Sequence, residues 1–109
     1  MRRLTLVAVL VALAAAVVPS WGAEDAQYIA IANVLIDRIV EFAVYKIENA
    51  DTYAEMVFWA NWAEFHIQLV LEWLERMIGP FEYEEFEVTV YNEKVGRSIT
   101  FDPIHVVGG

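Results

Sequence analysis

Two long stretches with helical periodicity, separated by only three residues, constrain this chain more than any other feature. Ile29, Ala32, Ile36, Ile39, Ala43 and Ile47 recur at three- and four-residue steps and mark one face of a helix over 25–48. Asn33, Asp37, Glu41 and Glu48 fall on the opposite face and are expected in water. Lys46 lies near the apolar side, where its stem can rest on the core while the amine reaches solvent. Asn49, Ala50 and Asp51 break the pattern. Thr52 then precedes Glu55 by three positions, the spacing of a capping box. A second helix runs from there to about Ile78, where Gly79 and Pro80 stop it. So short a break folds two helices into an antiparallel hairpin.

Beyond Pro80 the period changes from helical to alternating. Phe86, Val88 and Val90 alternate with Glu85, Glu87, Thr89 and Tyr91, as in a strand with one buried face. Residues 92–96 read as a turn containing Gly96. Arg97 to Phe101 alternate again, with Ile99 and Phe101 facing inward, so the two runs form a β-hairpin. Asp102-Pro103 interrupts the pattern, and Ile104 to Val107 supply a short further strand. The expected fold is therefore α+β: an antiparallel helical hairpin followed by a C-terminal two- or three-stranded antiparallel β-sheet.

The N-terminus reads as an address. Arg2 and Arg3 precede an apolar run from Leu4 to Val18, closed by Pro19, Ser20, Trp21 and Gly22. This is the layout of a secretory signal peptide, with cleavage expected after Gly22, or after Ala23 as the second choice. Fifteen residues rise about 22 Å as a helix, short of the roughly 30 Å of a bilayer core, which argues against a retained anchor. The expected product is a single small exported domain, residues 23–109, periplasmic or extracellular.

Cleavage sharpens the composition. Of 7 basic and 16 acidic residues, Arg2 and Arg3 leave with the leader, so 5 face 16 and the formal charge becomes −11. Nucleic acid and anionic lipid are disfavoured partners for such a surface, and a cationic partner suits it. The chain has no cysteine, so an exported domain of this size must be stabilised by apolar packing, a partner or self-association. Of the 87 residues left, 48 are apolar, a surplus that points to a homo-oligomer or a protein partner.

The second helix carries the unusual surface. Glu55, Trp59, Trp62, His66, Leu69, Trp73 and Arg76 follow alternating four- and three-residue steps, the a/d spacing of a helix–helix seam. Beside it run Ala60, Ala63, Ile67, Val70, Leu74 and Ile78, while Asn61, Glu64, Gln68, Glu72 and Glu75 form a narrower wet face. Trp59, Trp62, His66, Leu69 and Trp73 are the candidate binding or interface residues. Aromatic stripes at helical spacing also serve as ordinary core, and that reading competes on equal terms. His66 has no carboxylate three or four residues away and belongs to no metal-ligand pair. If it is buried, its charge state offers a way to couple an interface to pH.

Chemistry is mostly excluded rather than indicated. The exported segment holds one serine (Ser98, in a predicted strand), two lysines and two histidines, with no glycine-rich phosphate loop. His105, beside Asp102 and Pro103, is expected to bond locally. The acidic run Glu82, Glu84, Glu85 and Glu87 lacks the spacing of a calcium loop and reads as a solvated strand face. No catalytic residue, metal site or cofactor is expected. Three functions were compatible with these residues: a non-enzymatic interaction or self-assembly protein, a small ligand-binding or catalytic α+β domain around His66, and a membrane-surface-active helix. The glutamate-rich polar face counts against the last.

Overall fold

The structure is a computed structural model that describes residues 25–108. The expected leader and cleavage site lie outside the described residues. Helix α1 spans Asp25–Glu48 and helix α2 spans Tyr53–Ile78, packed side by side as a hairpin. Four strands follow: β1 Glu82–Glu85, β2 Val88–Asn92, β3 Arg97–Phe101 and β4 Ile104–Gly108. The fold is α+β, as the periodicity implied.

Local chemistry explains the helix ends. Thr52, in extended conformation, accepts the Glu55 N–H on its hydroxyl at 3.2 Å. This is one half of the expected capping box; among the described residues the Glu55 carboxylate makes no return bond. At the other end Gly79 adopts φ 80°, a region costly for other residues, and its N–H donates to the Glu75 carbonyl at 2.8 Å.

The strands form one long two-stranded ribbon rather than a sheet with a third strand. β2 pairs with β3 and β1 pairs with β4, both antiparallel. Val88 faces Phe101 and Glu85 faces Ile104, so each arm advances three residues between the two ladders and the register is unbroken. Pro103 causes the gap. Phe86 donates its N–H to the Pro103 carbonyl at 3.0 Å, but Pro103 has no N–H to return. Glu82, Glu84 and Glu85 of the acidic run thus form β1, exposed along its whole length, and Glu87 lies exposed just beyond it. β1 pairs with β4, where a short further strand was expected over Ile104 to Val107.

The ribbon lies across the helical hairpin and is pinned at both ends by asparagine side chains. Asn92, fully buried, donates its amide to the Ile47 and Ala50 carbonyls at 2.7 and 2.8 Å. Its side-chain oxygen accepts the Val95 N–H at 2.8 Å, so one residue both closes the ribbon turn and fastens it to the interhelical loop. Gly96, at φ 73°, completes that turn. Toward the far end, Asn33 donates to the Val106 carbonyl and accepts the Val106 N–H, each at 2.9 Å, imitating a neighbouring strand. One turn further along α1, Asp37 meets His105 at 2.7 Å. Asn33, half-buried, and Asp37, still largely in solvent, therefore both reach the ribbon; the helix has a second contact face that its apolar stripe does not reveal.

Between these pins sits the core. Ile36, Ile39, Ala43 and Ile47 of α1 pack with Met56, Ala60, Ala63, Ile67, Val70 and Leu74 of α2, and Val90, Phe101 and Val106 close it from the ribbon side. Most of the expected aliphatic stripe of α2 is buried, with Ile78 half-buried at its end. Lys94 adds a 2.9 Å ion pair with Asp51 across the turn. The hydrogen bond that Lys94 donates to Asp51, followed by the Asp51 charge, raises the Lys94 pKa above the ordinary 10.5. A raised value means that the pair acts below that pH and fades as the pH climbs through the raised pKa; full exposure keeps its contribution small.

Removing the Asn92 side chain takes the donor from the Ala50 carbonyl and the acceptor from the Val95 N–H, and leaves the Ile47 carbonyl with only the Ala50 N–H. Asn92→Ala is expected to lower the unfolding free energy by about 2–3 kcal/mol, against less than about 0.5 kcal/mol for the exposed Thr89→Ala. Urea titration followed by circular dichroism measures both, and equal effects would contradict the pinning.

Candidate functional site

The outward arc of α2 separates into two layers. At 100° per residue, Phe58, Trp62, Phe65 and Leu69 fall within about 60° of one another, and lie roughly opposite Tyr53 and Leu71, which turn toward the ribbon side. Phe58, Phe65 and Leu69 are exposed, at 50, 61 and 38% of their surface. Beneath them Trp62 and Trp73 are buried, at 6 and 4%. The stripe is therefore partly core and partly surface.

Of the five candidate residues, the structure brings Trp59, Trp62 and His66 into one cluster. Trp59 and Trp62 meet at 5.6 Å between ring centroids, and Phe42 of α1 packs against both, at 5.6 and 5.2 Å. Phe58 stands edge-on to Trp59 at 5.0 Å. His66 lies over Trp62 at 4.4 Å, and Phe65 meets its ring edge-on at 5.3 Å. Such edge-to-face and tilted arrangements suit the ring quadrupoles. Trp73 lies three turns away against Tyr28, at 6.0 Å, and Leu69 projects outward between the two groups.

Two features of the cluster bear on chemistry. The Lys46 ammonium sits 5.6 Å from the Phe42 ring and 5.3 Å from the Trp59 ring, so its amine is over aromatic faces. His66 engages the Trp62 carbonyl through Nδ1 at 2.9 Å, a bond within its own helix. No carboxylate among the described residues holds its ring, and no group of three or more metal-ligating side chains occurs there. The Trp62 and Trp73 indole N–H groups are buried without an acceptor among the described residues, a cost on the order of 1–3 kcal/mol each.

Phe42, Phe58 and Phe65 escaped the sequence reading. Phe58 and Phe65 stand seven residues apart, and with Trp62 and Leu69 they make a second four–three–four series beside the one identified. That series was visible in the spacing. Phe42 was not, since its side chain lies at the margin of the apolar face of α1 and gains its role only when α2 is docked.

Elsewhere, an open cleft of about 200 Å³ is lined by Gln68, Leu71, Glu72, Glu75, Phe81, Tyr83 and Ile104, away from His66. No described helix is long and apolar enough to cross a membrane. No protein-family model, curated protein or solved structure matches the chain.

The layering has a direct spectroscopic consequence. In acrylamide quenching of a chain starting at Ala23, Trp59→Phe is expected to remove the most accessible emission, while Trp62→Phe and Trp73→Phe leave the accessible fraction nearly unchanged. A larger loss from Trp62→Phe would contradict the burial order. Trp62→Ala should cost about 3–5 kcal/mol in urea unfolding, against about 1 kcal/mol or less for Leu69→Ala.

Proposed function

We propose that this chain is an exported, non-enzymatic protein that associates through the aromatic face of α2. The observation that carries the reading is the series Phe58, Phe65 and Leu69: three large apolar side chains exposed together on one helix face, flanking a buried tryptophan. Single exposed apolar residues are normal on a protein surface; several large ones repeated along one helix face favour an interaction site. The ribbon occupies the other side of the helices, so this face is open to a partner along several turns.

The composition supports the same reading. With no cysteine and few residues for a core, a small exported domain gains stability by covering apolar surface with another molecule. His66, bonded to its own helix and stacked on Trp62, serves as part of that surface rather than as a base or ligand. The leader read from Arg2 to Gly22 directs the protein out of the cytoplasm.

Protein recovered after export should have an intact mass corresponding to a start at Ala23, or at Glu24 for the second cleavage choice. Size-exclusion chromatography with light scattering should show a mass above one chain at micromolar concentration. The triple variant F58E/F65E/L69E should run as a folded monomer, because a cluster of carboxylates cannot be buried without large cost. A wild-type protein that stays monomeric up to millimolar concentration would sink the self-association reading.

A further inference from the structure

Resting on the reading just given, we infer that α2 pairs antiparallel with α2 of a second copy, about a two-fold axis passing between Phe65 and His66. The helix surface has a symmetry that supports this partner. Reversed about the midpoint of residues 65 and 66, Phe65 falls opposite the partner's His66, and the exposed Leu69 and Phe58 fall over the positions of the partner's buried Trp62 and Trp73. Glu55 then falls opposite the partner's Arg76. Each of these pairs joins residues equidistant from the axis, which is the requirement for a self-complementary interface.

All these positions lie within an arc of about 100° on α2. The exposed ones, Phe58, Phe65 and Leu69, supply apolar contact, and the buried tryptophans form the floor. Charge decides the direction. Glu55 and Arg76 are exposed, and neither makes a close ion pair among the described residues, although the Glu55 charge does reach Lys94 of its own chain. An antiparallel pair brings each carboxylate to a guanidinium twice, once at each end. A parallel pair would place Glu55 on Glu55 and Arg76 on Arg76. Facing a-and-d-like rows at four- and three-residue steps also pack at the shallow crossing of about 20° found in helix pairs of this spacing. One helix pair is a small interface, at or below about 1,200 Å² in total, so a weak and reversible dimer is expected.

Sedimentation of the exported protein over a concentration series tests the register by charge reversal. E55R and R76E each turn two attractive pairs into two repulsive ones and should weaken the dimer roughly tenfold. The double variant E55R/R76E restores opposite charges and should return to within about threefold of wild type. Helix stability cannot produce that recovery. Glu55 sits in the first turn and Arg76 in the last, where the helix dipole favours them, so the double variant carries the least stable helix of the set.

A second measurement does not depend on charge. In this cysteine-free chain, single variants E55C and R76C, mixed and treated with a short bis-maleimide, should give crosslinked E55C–R76C pairs and no E55C–E55C pairs. The like positions would be about 32 Å apart along the helix pair. Association that persists with no rescue in E55R/R76E, or with E55C–E55C crosslinks, overturns the antiparallel register and leaves the interaction reading standing. A monomer at every concentration overturns both.

Discussion

The anchoring of the ribbon by Asn92 is the interaction on which the rest of the structure depends. An isolated two-stranded ribbon is marginal in water, because each strand has an unpaired edge and only one face can be covered. Here the buried Asn92 amide ties the ribbon turn to the two carbonyls where α1 ends and the interhelical loop begins. The Asn33 side chain occupies the edge of β4 with the two hydrogen bonds that a third strand would have made. A strand edge capped in this way cannot pair with a neighbour at that point. Both polar contacts also fix which side of the helical hairpin the ribbon covers.

From that choice follows the character of the opposite side. Once the ribbon has taken one face, the aliphatic stripe of α2 is spent on the shared core. The aromatic residues are divided between a floor and a surface. Trp62 and Trp73 are sealed by Phe42, Tyr28 and their neighbours, while Phe58, Phe65 and Leu69 remain in water. A chain without disulfides has little reserve against exposed apolar area, which makes a covering partner the economical arrangement. The net negative charge works against self-association at long range, but salt screens it beyond about 8–10 Å, whereas the apolar contact is short-ranged and unaffected.

The helical hairpin was legible in the sequence because its signals are local. Thr52 and Gly79 act on backbone groups within four residues of themselves, and both helix ends fall where those residues place them. The hairpin of β2 and β3 was legible for the same reason, through alternation and Gly96. What escaped notice depends on contacts between distant residues. Asn33 and Asp37 look solvated on a helical wheel, and only the ribbon's path makes them partners of Val106 and His105. Asn92 looked like any turn residue; its burial depends on residues more than 40 positions earlier. The pairing of β1 with β4 required seeing that Pro103 interrupts a register without ending it. The candidate stripe was found in part, and its division into floor and surface was set by Phe42, a residue on the other helix.

The exposed Phe58, Phe65 and Leu69 of α2 are the proposed contact with a second copy of the chain. Isotope-filtered NOE spectroscopy on a mixture of labelled and unlabelled chains starting at Ala23 tests this proposal, because only contacts between different chains give signals. Intermolecular cross-peaks from the Phe58, Phe65 and Leu69 side chains are the predicted result. Cross-peaks that arise instead from the β1 or β3 edges of the ribbon, with none from these three residues, would contradict it.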